Sequence, residues 1–165
     1  IPKLVTLIYP GAFEGCKSLT SINIPKLVTW IGDEAFKGCG SLTSIEIPDN
    51  VTRIGEEAFK DCSGLEFVEF GDNVTDVSEN AFAGCDNLRT VTVHRCIESL
   101  RLDELLTGIS AEQITKVTIG DGVKSIGDGA FRGCGSLTFV VIGDGVESIV
   151  GGWSGADVTV SGAVD

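Results

Sequence analysis

The chain has 165 residues, 42% of them hydrophobic and 22% charged, with 24 acidic against 12 basic side chains and a formal net charge of −12. That balance describes a globular chain, and it argues against nucleic acid as a partner, because no Lys/Arg cluster offsets the repulsion of phosphates. No apolar run approaches the ~20 residues that cross a bilayer, so membrane insertion is not expected, and the opening Ile1-Pro2-Lys3-Leu4, neither an initiating Met nor a signal peptide, reads as a trimmed piece of something longer.

In chain order, Ile1 to Tyr9 align with Ile24 to Gly32, so the chain opens after a strand whose first half is missing. Ala12-Phe13-Glu14-Gly15-Cys16 follows, the first of five Ala-Phe-x-x-Cys elements; the others begin at Ala35, Ala58, Ala81 and Ala130, and the first four are spaced 23 residues apart. A fixed period of that length marks a solenoid, since one coil cannot bury its own apolar face and must stack on its neighbours. Within each period an apolar-x-x-apolar-x-apolar segment predicts a strand with one face buried: Leu19 to Ile24, Leu42 to Ile47, Leu65 to Phe70, Leu88 to Val93, Ile114 to Ile119 and Leu137 to Ile142. These six stack in parallel. A turn such as Pro48-Asp49-Asn50 follows each, then two inward apolar residues such as Val51 and Ile54. Gly55 to Cys62 and its equivalents read as one or two helical turns, with acidic residues such as Glu56-Glu57 at the start and Gly15, Gly38, Gly84 or Gly133 at the stop. Strands about 4.8 Å apart with bulkier helical segments outside predict a curved stack, strands on the concave side.

Two places break the rhythm. From about 94 to 119 the Phe-Cys element gives way to Ser99–Ile109, where Leu102, Leu105, Leu106 and Ile109 at helical spacing predict a longer convex helix. From about 150 to 165 the final coil is truncated, with Trp153 placed to seal it and Val158-Thr159-Val160 as a last short strand. The whole, residues 1 to 165, reads as a single domain.

Five of the six cysteines share one place in the repeat, which predicts a column of buried thiols; a disulfide needs Cα atoms within about 7 Å, and a spread convex side holds neighbouring coils wider. Cys96 stands outside the column, and no Cys-x-x-Cys offers a zinc site. Asp49, Asp72, Asp121 and Asp144 form a row of carboxylates of the kind that holds Ca²⁺, though Asp-Asn and Asp-Gly are also what tight turns use. No cofactor is expected. His94, the single histidine, stacks between Gly71 and Gly120, which offer no side chain to orient an imidazole, so no acid–base centre forms there and no enzyme is expected.

Candidate partner-binding residues come from strand alternation. The presented face carries Glu46, Glu69 and Arg89 among small hydroxyl residues, and also Phe67, Phe139 and Val141, apolar side chains that a merely solvated face does not explain. At the N-terminal end, Leu7 aligns with Trp30 at a position that later coils fill with Arg53, Asp76, Ser125 and Ser148. Terminal repeats normally present a polar outer face, so Leu7 and Trp30 mark a contact with preceding repeats or another subunit, the alternative being that residues 1 to 18 cap the edge themselves.

The unit Leu-x-x-Ile-x-Ile-Pro-x-x-Val-x-x-Ile-Gly-x-x-Ala-Phe-x-Gly-Cys resembles the BspA-like class of leucine-rich repeats, best over residues 19 to 93 and 114 to 149. The resemblance implies an α/β fold: a leucine-rich repeat solenoid in the form of a curved right-handed β/α superhelix, parallel strands concave and short helical turns convex. It also implies an extracellular or cell-surface place and a non-catalytic role in protein binding or adhesion, the ligand being a host or matrix protein. A structural spacer or assembly subunit stacking end to end is the second expectation.

Overall fold

The structure, a computed structural model, describes residues 1–94, 102–150 and 159–162. The expectations for Cys96, Ser99 to Arg101, Trp153 and Val158 fall outside these. The strands, in chain order, are β1 (Leu7–Ile8), β2 (Trp30–Ile31), β3 (Ser44–Ile47), β4 (Arg53–Ile54), β5 (Phe67–Phe70), β6 (Asp76–Val77), β7 (Thr90–Val93), β8 (Lys116–Ile119), β9 (Ser125–Ile126), β10 (Phe139–Ile142), β11 (Ser148–Ile149) and β12 (Thr159–Gly162). They build a parallel β-solenoid. A broad six-stranded sheet runs β3-β5-β7-β8-β10-β12, and the two-residue strands form a second wall, β1-β2-β4-β6 and β9-β11. Pairing follows the repeat: Ile45 faces Val68, Val68 faces Val91, and Ile31 faces Ile54. These inward side chains are fully buried with Leu42, Leu65 and Leu88, one continuous core along the stack.

The Ala-Phe-x-x-Cys segments differ from the expected helical turns. Ala35, Lys37 and Cys39 donate three residues back, to the carbonyls of Gly32, Glu34 and Phe36, closing consecutive tight turns. The alternate amides of Glu34, Phe36 and Gly38 point along the stack instead, donating at 2.7–2.8 Å to Glu56, Ala58 and Lys60 of the next coil. This alternation needs left-handed residues, and they recur: Glu34 and Gly38, Glu57 and Asp61, Asn80 and Gly84 all have φ between 55° and 76°. An α-helix would instead bond each amide beyond its first turn to the carbonyl four residues back on its own segment. Here the third side of the coil is a hydrogen-bonded wall as well. Described helix is confined to Leu102–Leu105 and a 3₁₀ turn at Ala111–Gln113. Leu102, Leu105 and Leu106 are buried as expected, and the described helix ends at Leu105, short of the predicted Ile109.

That wall also overturns the spreading expected of the convex side. The rings of Phe13, Phe36, Phe59 and Phe82 stack with centroids 5.1–5.2 Å apart and planes within 10° of parallel. This is close to the ~4.8 Å separation of strands in a sheet. The cysteines are free nonetheless: Cys39, Cys62, Cys85 and Cys134 are buried, and Cys16 is exposed, the one described member that leaves the expected buried column. Each of three thiols donates to a carbonyl of the preceding coil, Cys39 to Phe13, Cys62 to Phe36 and Cys85 to Phe59, at 3.1–3.2 Å. Burial pushes Cys62 up to about 12 and Cys85 higher still.

Leu19 to Ile24 does not form the predicted first strand. Later coils place an amide after the strand, as when Gly120 donates to Val93 and Gly143 to Ile119. Pro48 occupies that place opposite Ile24 and has no N–H to give. Among the described residues, a long 3.4 Å bond from Thr43 to the Thr20 carbonyl is the only backbone hydrogen bond that joins this stretch to the coil of β3.

Candidate binding surface

The broad sheet presents two outward rows. Ser44, Phe67, Thr90, Lys116 and Phe139 lie in register in one, and Glu46, Glu69, Thr92, Thr118 and Val141 in the other, two residues further along each strand. Of the sequence-predicted residues, Glu46, Glu69, Phe67, Phe139 and Val141 are thus brought onto one face. Phe67, Phe139 and Val141 are each half-buried. Phe67 and Phe139 are three strand steps apart, roughly 14 Å, with Thr90 and Lys116 between them. Lys116 Nζ sits 5.6 Å from the centroid of the Phe139 ring, a cation–π contact.

Arg89 does not reach across this face. Its Nη1 donates to the carbonyls of Asp86 (2.8 Å) and Leu88 (3.0 Å), folding the guanidinium onto the adjacent loop. Leu7 and Trp30 lie on the second wall, in the register the repeat predicts, Leu7 to Trp30 to Arg53 to Asp76. Both are half-buried, and the Trp30 Nε1 is enclosed with no hydrogen-bond partner. Beyond it, Arg53 Nε meets Asp76 Oδ2 at 3.3 Å.

His94 has an orienting partner after all. Its Nε2 lies 3.0 Å from Glu69 Oε1, and its ring rests over Gly120, where any Cβ would collide with Nδ1. The partner escaped the sequence reading because Glu69 is 25 residues away and belongs to the strand, not to the turn row. The pair sits beside Thr92, the buried polar residue of the face. The turn aspartates are engaged with backbone: Asp49 Oδ1 accepts from the Asp72 amide and Asp121 Oδ1 from the Asp144 amide. Among the described residues no three His, Cys, Asp or Glu side chains gather to hold a metal ion, and no helix is long and apolar enough to cross a membrane. At the β3 end the face continues into an open groove of about 500 Å³ lined by Asn23, Lys26, Ser44, Glu46, Asp49 and Asn50 among others.

A coil of this repeat, with parallel strands on one wall and the Ala-Phe-x-x-Cys turn on another, defines a leucine-rich repeat. The family described as BspA type leucine rich repeat region matches in six copies, over residues 1–103 and 109–152, and the chain belongs to it. No curated relative matches. Among solved structures, the chain is similar to a leucine-rich repeat protein from Bacteroides ovatus at 28% identity, covering 93% of this chain and 45% of that one with a TM-score of 0.54. It is similar to the leucine rich repeat protein of T. pallidum at 27% identity, with 92% and 71% covered and a TM-score of 0.60. A leucine rich cell surface protein from Faecalibacterium prausnitzii matches at 30% identity, with 82% and 32% covered and a TM-score of 0.52. The chain therefore spans less than half of the Bacteroides and Faecalibacterium proteins.

Proposed function

We propose that the chain is a non-catalytic protein-binding module of a cell-surface or secreted protein, and that the broad sheet from β3 to β10 is its contact face. The observation that carries this reading is the placing of Phe67, Phe139 and Val141, three half-buried apolar side chains, on an otherwise polar face with Glu46 and Glu69. Aromatics in such settings act as anchors, with polar neighbours excluding water around them. Membership of a leucine-rich repeat family, a scaffold typical of interaction modules and typically without enzymatic activity, supports it, as does the likeness to a cell-surface protein. Adhesion to a host or matrix protein is the form of binding that fits such a place.

The test is to select ligands from a displayed peptide library on the purified protein and compare them on a Phe67→Ser/Phe139→Ser double variant. Loss of binding with the fold retained is the expected result; undiminished binding of every selected ligand refutes the face. The second reading, end-to-end assembly through the Leu7–Trp30 wall, rests on the exposed Leu4 and Leu27 and the half-buried Trp30 near it. Light scattering over a range of concentrations separates the two: a monomer at every concentration excludes assembly.

A further inference from the structure

We infer that the β3–β5 end of the broad face receives one arginine side chain from an extended segment of a partner protein, an inference that rests on the reading of this face as a contact surface. Three observations converge on a guanidinium. First, Glu46 and Glu69 stand directly opposite each other on adjacent parallel strands, about 4.8 Å apart by strand spacing. Like charges so placed repel. Glu69 has His94 at 3.0 Å, but Glu46 is exposed and makes no ion pair or side-chain hydrogen bond among the described residues. A cation between the two carboxylates removes the repulsion and gains charge-assisted hydrogen bonds from each.

Second, the chain supplies its own example of what a phenylalanine in this row takes. Phe139 carries the ammonium of Lys116, its neighbour one strand away in the same row. Phe67 holds the same row position, two residues before Glu69, yet its row neighbours are Ser44 and Thr90, neither able to provide a cation. It makes no ring or cation contact among the described residues. Its half-exposed ring and the carboxylate of Glu69 are two residues apart on one strand face, roughly 6–7 Å. A guanidinium can lie on that ring while its fork reaches the carboxylates, a match for arginine's planar, stacking group more than for a lysine's point charge.

Third, there is room and a steering field. The groove of about 500 Å³ opens beside Glu46, so an extended segment has a path over the sheet edge, with Asp49 and Lys26 both among its lining residues. A net charge of −12 draws a basic segment toward the protein before contact.

The experiment is a random peptide library displayed on phage and selected in parallel on the wild-type protein, on Glu46→Gln/Glu69→Gln, on Phe67→Ser, and on Glu56→Gln/Glu79→Gln. The last variant removes two exposed carboxylates from a different wall, so it controls for net charge. Wild-type binders are expected to be enriched in arginine at one position. Their affinity should fall about tenfold on Glu46→Gln/Glu69→Gln and on Phe67→Ser, and less than about twofold on the control. Equal losses on the control overturn the inference, since attraction is then non-specific. Binders without arginine enrichment that are lost on Phe67→Ser overturn the arginine site while leaving the contact face standing. If no binder responds to any substitution on the broad face, both readings fall together.

Discussion

The rings of Phe36 and Phe59 lie 5.2 Å apart with planes 1° from parallel, each fully buried between coils. Such a contact links two coils that are separate in sequence by one period, so a single side chain supports both neighbours. Truncating Phe59 to Ala is expected to cost about 3–5 kcal/mol, the range for a buried aromatic. Phe13, half-buried at the end of the row, should cost markedly less. Urea unfolding of the two variants gives the comparison; equal losses contradict the column.

The thiols make a second prediction. In a Cys96→Ser background, Ellman's reagent should label Cys16 quickly and Cys39, Cys62, Cys85 and Cys134 only as the chain unfolds. Rapid labelling of more than one thiol in the native state contradicts the buried column.

Alkaline stability follows from the same burial. An unfolded cysteine ionises near 8.5, whereas Cys62 stays protonated in the fold to about 12. Between those values the folded chain binds more protons than the unfolded one, so stability falls as pH rises. For that thiol the slope is about 1.4 kcal/mol per pH unit. Chemical unfolding of wild type and Cys62→Ala from pH 8 to pH 11 should show a shallower decline for the variant; parallel declines contradict the assignment.

The period, the register and the core were legible because they depend on spacing alone: Leu7 opposite Trp30, Ile45 opposite Val68, and Phe36 beneath Phe59 all follow from the 23-residue repeat. The Ala-Phe-x-x-Cys turns were not. An acidic residue before Ala-Phe and a glycine after it signal a helix start and stop, yet the same residue types serve left-handed positions in consecutive turns. What decides between them is whether the Phe36 amide bonds within its coil or to Ala58 of the next, a tertiary matter. The two-residue strands of the second wall are too short to leave an alternation. On the broad sheet, alternation identified Phe67 and Glu69 as outward, but not the His94 contact, nor the folding back of Arg89 onto Asp86, because side-chain reach has no periodic signature.

The turn geometry predicts opposite effects at neighbouring coils. Gly84 has φ of 76° and a Cβ there would crowd Asp61, so Gly84→Val combines a β-branched residue in the left-handed region with a clash. It should cost more than about 2 kcal/mol. Asp61→Gly, at φ of 58°, relieves a left-handed aspartate and should be neutral or stabilising. Thermal melting of both variants checks the signs; a destabilised Asp61→Gly contradicts the stacked-turn description.

Residue-resolved amide chemical shifts on titration with a library-selected peptide decide whether the broad sheet is the contact face. If it is, shifts concentrate at Glu46, Phe67, Glu69, Thr90, Lys116 and Phe139, with Trp30, Arg53 and Asp76 unmoved. Shifts confined to the Trp30–Asp76 wall or to the Ala-Phe-x-x-Cys turns would contradict it.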